Sequence, residues 1–259
     1  MRSMWKGSIG FGLVNIPVKL YVATEESNIS FVQIDKKDHA RIKYKKVNEN
    51  TGKELTQEEI GRGYIMDGKL VIVDDADLEK AEPEKIDHLE ITQFINEKEI
   101  DGVYFEKAYY LEPDKAGAKA YVLLRDALKK ESKAALGQLV YHNKEWLCLI
   151  KPQRNVLVLH KLRFSDEIRS EGGLNIPDIP IKADELKMAT MLIAQLTKPF
   201  NPEEFRDTYS EKLLKVIEAK ARGKATGKPL KIAHKATTDD LMEKLKASLG
   251  TKKTTRKAS

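Results

Sequence analysis

The sequence predicts a mainly β protein with some α-helix: an antiparallel barrel or sandwich core, a helical arm behind it and a flexible basic tail. Three observations carry this. Up to about residue 182 the chain is a run of short segments with period-two apolar alternation, punctuated by turn signals and one clear helix. After "NIPDIPIK" (175–182) the apolar period lengthens to three or four residues. The charge is also lopsided. Residues 222–259 hold eleven Lys/Arg against three acids, a net of +8, which leaves the first 221 residues at −2 of the chain's +6. These shifts divide the chain into a core (1–182), a helical arm (183–222) and a basic tail (223–259).

The first element is "WKGSIGFGLVNIPVKLYV" (5–22). Val14, Ile16, Val18, Leu20 and Val22 alternate as a strand does, so the stretch reads as the first strand. Its glycines, Gly7, Gly10 and Gly12, stand in the wrong order for a dinucleotide fingerprint and precede a strand, so no helix N-terminus is aimed at a phosphate. They suit a close backbone approach or a bulge at a barrel corner. "ISFVQID" (29–35) reads as a second strand. "HARIKYKKVNENTGKEL" (39–55) reads as a polar, basic hairpin turning at residues 50–52. "YIMDGKLVIV" (64–73) is a tighter hairpin around Asp67-Gly68.

Further strands are expected at 86–95 and 103–111. A helix follows over 116–131, with Tyr121, Leu124 and Leu128 on one face. "AALGQLVYH", "EWLCLIK" and "NVLVLHKLRF" complete the core. In the arm, Asp184 reads as the N-cap of a helix carrying Leu186, Ala189, Ile193 and Leu196. A second helix over 202–222 carries Phe205, Tyr209, Leu213, Leu214 and Ile217. "DDLMEKLKASL" (239–249) is a short amphipathic segment, and "TKKTTRKAS" a polar basic end.

Composition excludes much chemistry. The single cysteine, Cys148, rules out an internal disulfide framework and a thiolate-rich zinc site; between Leu147 and Leu149 it reads as a buried strand residue. No apolar run approaches the roughly 20 residues that span a bilayer. The opening, broken by Gly10, Gly12, Asn15 and Pro17, is no signal peptide. The chain therefore reads as soluble and intracellular. The five histidines lack ligand spacing, and no Walker, H-E-x-x-H or G-x-S-x-G motif occurs. The run Asp74–Asp77 has two readings: a helix N-terminus, where acids cap free amides, or a divalent-metal cluster. No cofactor and no metal are expected.

The blocks "MWKGSIGFGLVNIPVKLY", "IKYKKV", "GYIMDGKLVIVDDADL", "EIDGVYFEKAYYLEPD", "KAYVLLRDAL", "LVLHKLRFSDEIR" and "PEEFRDTYSEKLLKVIEAK" resemble, in family order and over roughly residues 1–222, the bacterial Ku proteins of non-homologous end joining. The resemblance implies a Ku-type antiparallel barrel with a helical arm. It also implies a homodimeric ring threaded onto double-stranded DNA ends, no catalysis, and an ATP-dependent DNA ligase as partner. A bacterial cytoplasmic, nucleoid-associated location goes with these. Some family members carry a C-x-x-C pair where this chain has Asn48 and Thr51, so no zinc site is expected.

A ring that loads at any broken end contacts phosphates with Lys and Arg, which position without reading sequence. Lys36, Lys37, Arg41, Lys43, Lys45 and Lys46 lie within eleven residues opposed only by Asp38, and are the leading candidates. Lys19, Lys151 and Arg154, on strand segments, are weaker ones. In the tail, Lys252, Lys253, Arg256 and Lys257 add salt-sensitive affinity. Leu186, Ile193 and Leu196 are assigned to the dimer interface. Leu241, Met242, Leu245 and Leu249 are assigned to the ligase contact, with docking on the chain's own arm as the other reading. The competing functions are a sequence-specific DNA-binding regulator and a metal-dependent nuclease using Asp74–Asp77.

Overall fold

The computed structural model describes residues 1–26, 29–82 and 88–223. Two compact units divide between Glu171 and Gly172.

In the first unit seven strands close into a barrel: β1 (Trp5–Phe11), β2 (Val14–Val22), β5 (His88–Ile95), β6 (Phe105–Pro113), β7 (Ala134–Tyr141), β8 (Lys144–Gln153) and β9 (Val156–Leu162). Around the barrel the order is β1-β2-β6-β9-β8-β7-β5, and β1 pairs in parallel with β5 to close it. All other neighbours are antiparallel. A separate two-stranded sheet, β3 (Arg62–Met66) and β4 (Lys69–Val73), and the short helix α1 (Asp75–Ala81) lie between β2 and β5 in sequence.

The opening stretch is two strands rather than the expected one. The register Phe11↔Val14 leaves Gly12 and Leu13 as a two-residue turn, and Gly12 has φ +58°. Glycine at the first central position is what a type II′ hairpin turn requires. The alternation read from sequence belongs to β2 alone, where Ile16, Val18 and Leu20 are buried. At Gly137 the constraint is a close approach: a Cβ there would lie 2.2 Å from the Glu90 carbonyl oxygen, beside the irregularity in the β5–β7 register.

"EWLCLI" is apolar without alternation because both faces of β8 are covered. Trp146, Cys148 and Ile150 belong to the main core, while Leu149 joins Ala134 and Leu162 on the opposite face beneath Ile100 and Tyr104. Burial pushes the Cys148 thiol up to about 12, which leaves it protonated and inert. Helix α2 (Ala118–Glu131) turns Tyr121, Leu124 and Leu128 into the main core, as its periodicity predicts. The Tyr121 hydroxyl donates to the Leu111 carbonyl at 2.7 Å and accepts from the Leu157 amide at 2.6 Å, so a side chain ties β6 to β9 where their ladder ends.

Two further expected elements differ in the first unit. Residues 29–35 form no strand; their only pairing is a single bridge, Ile34 to Arg41. Ile29, Phe31, Val32 and Ile34 make the segment apolar enough for a strand, but no neighbouring strand offers a ladder. The hairpin over 39–55 is likewise a turn without flanking strands: Val47 bridges Glu54, and Gly52 at φ +67° closes the bend.

In the second unit, α3 (Ala183–Leu196) and α4 (Thr208–Ala221) are the two arm helices. The N-cap of α3 is Lys182, not Asp184. Asp184 sits in the first turn, and the Glu185 carboxylate accepts from the Lys182 amide at 3.1 Å. The second helix is shorter than expected. Pro202–Glu204 make a separate 3₁₀ turn, and Asp207 caps α4 by accepting from the Tyr209 and Ser210 amides, which leaves Phe205 outside the helix. Those bonds, with the Ser210 hydroxyl, hold the Asp207 carboxyl below the usual carboxylate range.

Candidate nucleic-acid interface

Between β2 and β5 the described chain buries nothing; every residue from Ser30 to Val47 is exposed. Short-range hydrogen bonds give this segment its shape. The Asp35 amide donates to the Ala40 carbonyl and the Ile42 amide to the Gln33 carbonyl, which folds residues 33–42 into a tight bend with His39 at φ +60°. Asp35 and Asp38 both accept from backbone amides inside that bend, those of Lys37 and Ala40. A second bend follows at 46–55, where the Leu55 amide donates to the Lys46 carbonyl.

The zinc-pair positions serve this second bend. Asn48 Oδ1 accepts from the Asn50 and Thr51 amides at 2.9 and 3.0 Å, and Thr51 Oγ1 accepts from the Lys53 amide. Such Asx turns are what asparagine supplies to a bend.

The six cations of the segment fall into two groups. Lys45 pairs with Glu54 at 2.7 Å, and Lys46 Nζ donates to Gln57 Oε1 at 2.9 Å. Lys36, Lys37, Arg41 and Lys43 pair with no carboxylate among the described residues. Four exposed, unmatched charges on a segment without its own core are available to phosphate oxygens, and each phosphate contact releases counterions.

The barrel candidates are placed differently. Lys19 is salt-bridged to Asp114 at 2.8 Å, and that partner holds its ammonium pKa above the usual lysine value. Lys151 is paired with Glu97 and lies over the Phe105 ring. Arg154 is not on a strand but in the β8–β9 turn, at φ +54°. The structure thus gathers the segment cations but does not bring Lys19, Lys151 and Arg154 to the same element. Lys252, Lys253, Arg256 and Lys257, with Leu241, Met242, Leu245 and Leu249, lie outside the described residues.

The acidic run folds as a helix start. The Asp77 amide donates to Asp74 Oδ1 at 2.9 Å and the Asp74 amide to Asp77 Oδ2 at 3.3 Å, a reciprocal capping box on α1. Asp75 pairs with Arg62 at 2.5 Å. Among the described residues no group of three or more His, Cys, Asp or Glu side chains clusters as metal ligands would, and no helix is long and apolar enough to cross a membrane.

Sequence reasoning missed a large set of exposed apolar side chains. Tyr64, Ile65, Leu70 and Ile72 on the β3–β4 hairpin are 65–78% exposed, and Leu174, Ile176, Ile179 and Ile181 ahead of α3 are 63–76% exposed. The signal was present in "YIMDGKLVIV" and "LNIPDIPI", which are too apolar for solvated loops.

Residues 10–188 match the family model described as the Ku70/Ku80 beta-barrel domain. The chain is 38% identical to the non-homologous end joining protein Ku of Coxiella burnetii, across 99% of this chain and 97% of that one. It is 39% identical to the Bacillus subtilis protein of the same name, across 96% and 82%. To that of Archaeoglobus fulgidus it is 42% identical, across 86% and 90%. With a closed barrel under that match and near full-length similarity to these relatives, the chain belongs to the Ku family.

Proposed function

We propose that the protein binds double-stranded DNA ends without regard to sequence, as a ring-shaped homodimer, in the repair of double-strand breaks by non-homologous end joining. The observation that carries this is the segment of Lys36, Lys37, Arg41 and Lys43: exposed, unmatched by carboxylates and held by backbone turns with no helix to enter a groove. Such a surface contacts phosphates and carries no base readout. Leu186, Ile193 and Leu196 on α3, each 59–67% exposed, support a second copy as the cover for the arm. The capping box at Asp74 weighs against a nuclease built on Asp74–Asp77, since both outer carboxylates already accept from backbone amides.

The deciding experiment is a competition gel shift between a linear fragment and a covalently closed circle of identical sequence. A ring needs a free end, so the linear form competes and the closed circle does not; equal competition overturns the reading. The basic tail is assigned two separable tasks. Removing residues 251–259, with Lys252, Lys253, Arg256 and Lys257, weakens DNA binding and leaves stimulation of the ATP-dependent DNA ligase intact at saturating protein. Leu241→Ala with Leu245→Ala, on the stripe that includes Met242 and Leu249, keeps end binding and loses stimulation. Loss of the same activity in both variants makes the tail a single functional unit.

A further inference from the structure

At the C-terminal end of α2 the barrel unit carries a hollow of about 430 Å³ into which three elements bring lysines. Lys98 comes from the 3₁₀ turn Glu97–Glu99, Lys129 from the last turn of α2 with Lys133 just beyond it, and Lys151 from β8. Of the four, only Lys151 stood out in the sequence. Glu97 is the one carboxylate of the lining, so four ammonium groups leave a net charge of +3. That carboxylate is engaged by Lys151, whose side chain is 23% exposed and whose Nζ lies 5.9 Å from the Phe105 ring centroid. Lys98, Lys129 and Lys133 pair with no carboxylate among the described residues. Asp126, which Lys129 influences, makes its salt bridge to Arg125 Nε at 2.8 Å.

The negative end of the α2 dipole accounts for Lys129 and Lys133, which would be favoured there with no ligand at all. It does not account for Lys98 and Lys151, which reach the same hollow from other elements. Charges of one sign around a concavity with apolar walls, here Leu128 and Pro152, focus the potential and concentrate an anion. The helix end does not oppose one strongly. The Ser132 amide donates to the Leu128 and Lys129 carbonyls, and the Lys133 amide to the Leu128 carbonyl at 3.0 Å. Two neutral groups complete the lining: the Ser132 hydroxyl, and Asn96, whose Oδ1 accepts from the Lys98 amide at 3.2 Å and whose nitrogen is left to donate.

We infer that this hollow binds a polyphosphate anion through Lys98, Lys129 and Lys133. A single carboxylate would leave most of the positive charge unmatched, whereas adjacent phosphates carry enough to neutralise it. The donors also suit phosphate. A lysine ammonium is a compact charge with three donors that can be shared among phosphate oxygens, and the planar arginine fork that matches a carboxylate is missing from the lining. No aromatic ring lines the hollow, so a nucleobase has nothing to stack on and the phosphates alone are recognised. A free polyphosphate and a nucleic-acid backbone both offer this chemistry, and the experiment separates them.

The test is isothermal titration calorimetry on the full-length protein without DNA, using sodium tripolyphosphate as the probe. Saturable binding is expected, with citrate, a polycarboxylate, weaker by about fivefold or more. Lys98→Gln with Lys129→Gln and Lys133→Gln, all exposed positions, weakens tripolyphosphate about tenfold or more. Glu97→Gln removes the opposing carboxylate and tightens it about threefold. Lys115→Gln with Lys119→Gln and Lys130→Gln, an equal loss of charge outside the hollow, leaves the affinity unchanged. A gel shift with a linear duplex then identifies the source. Weaker duplex binding by the hollow variant assigns the phosphates to a DNA backbone, and an unchanged shift assigns them to a free polyphosphate. The inference is overturned by absence of saturable binding, by citrate binding as tightly as tripolyphosphate, or by equal weakening in the two triple variants. None of these outcomes depends on the competition between linear and closed DNA, so the two proposals fail separately.

Discussion

Helices α2 and α3 are both fourteen residues long, and the apolar stripe of each was visible in the sequence, yet they end in opposite circumstances. Three residues of α2 are 3% exposed, locked against the barrel. In α3, richer in aliphatic side chains, nothing is buried, and Leu186, Ile193 and Leu196 stand 59–67% in solvent. Each such side chain forgoes about 1.5–3 kcal/mol that full burial would contribute. The difference teaches that an amphipathic stripe reports a demand for cover and does not say which chain supplies it. For α2 the cover is the barrel; for α3 the proposed cover is a second copy.

The largest expected effect is on the α2 side. Leu124→Ala should destabilise the barrel by about 2–5 kcal/mol, because the rigid core around it cannot collapse into the space; urea unfolding followed by tryptophan fluorescence measures this. A change below about 1 kcal/mol would mean that α2 is no more committed than α3. On the α3 side, Leu186→Asp with Ile193→Asp should break the proposed dimer and give monomer or insoluble protein, read by light scattering. A soluble dimer of the double variant removes α3 from the interface.

The same contrast of matched and unmatched groups holds among the cations. Reversing Lys36, Lys37, Arg41 and Lys43 should weaken binding to all duplex sequences alike. The log–log salt slope should flatten by about 0.9 for each phosphate that the variant no longer neutralises. Lys45→Glu alone should act less, since Glu54 already holds that ammonium. An unchanged slope in the fourfold variant moves the DNA path off this segment.

The smallest effect concerns His160 in β9, whose Nε2 is buried without a hydrogen-bond partner and whose pKa is lowered, first by burial and then by Lys151. A histidine depressed below 6.5 in the folded state binds fewer protons than it does unfolded. Its contribution is therefore complete above pH 6.5 and is lost as pH falls through that value towards the folded pKa. Unfolding midpoints of the wild type and of His160→Gln should converge or cross as pH drops from neutral to about 5; parallel curves would show that His160 does not couple to stability.

What the sequence disclosed, and what it withheld, follows the range of the interaction. Tyr121, Leu124 and Leu128 were legible because helix spacing alone aligns them. The Asp67-Gly68 turn and the cap at Asp74 were legible for the same local reason, each a matter of a few residues. "ISFVQID" misled because a short apolar run shows that a segment could be a strand and cannot report whether a ladder neighbour exists. The opening hairpin was read as one strand because its turn, Gly12 with Leu13, lies between Phe11 and Val14 with no polar residue to mark it. At the candidate interface, the number of cations was plain but their pairing was not. Lys45 with Glu54 is a short-range match, whereas Lys19 with Asp114 depends on β2 lying beside β6, which only the closed barrel settles.

The closure of the barrel by β1 against β5 has a further consequence. Everything between Val22 and His88 can be regarded as an insertion into a finished object, since the seven barrel strands find all their neighbours without it. Loop-closure entropy rises only with the logarithm of length, so doubling such an excursion costs about 0.6 kcal/mol. Chain can therefore be added there, or removed, at almost no expense to the fold. The reach of the segment proposed to contact DNA is thereby uncoupled from the stability of the barrel that anchors it. A lineage, or an engineer, can vary the first while leaving the second alone.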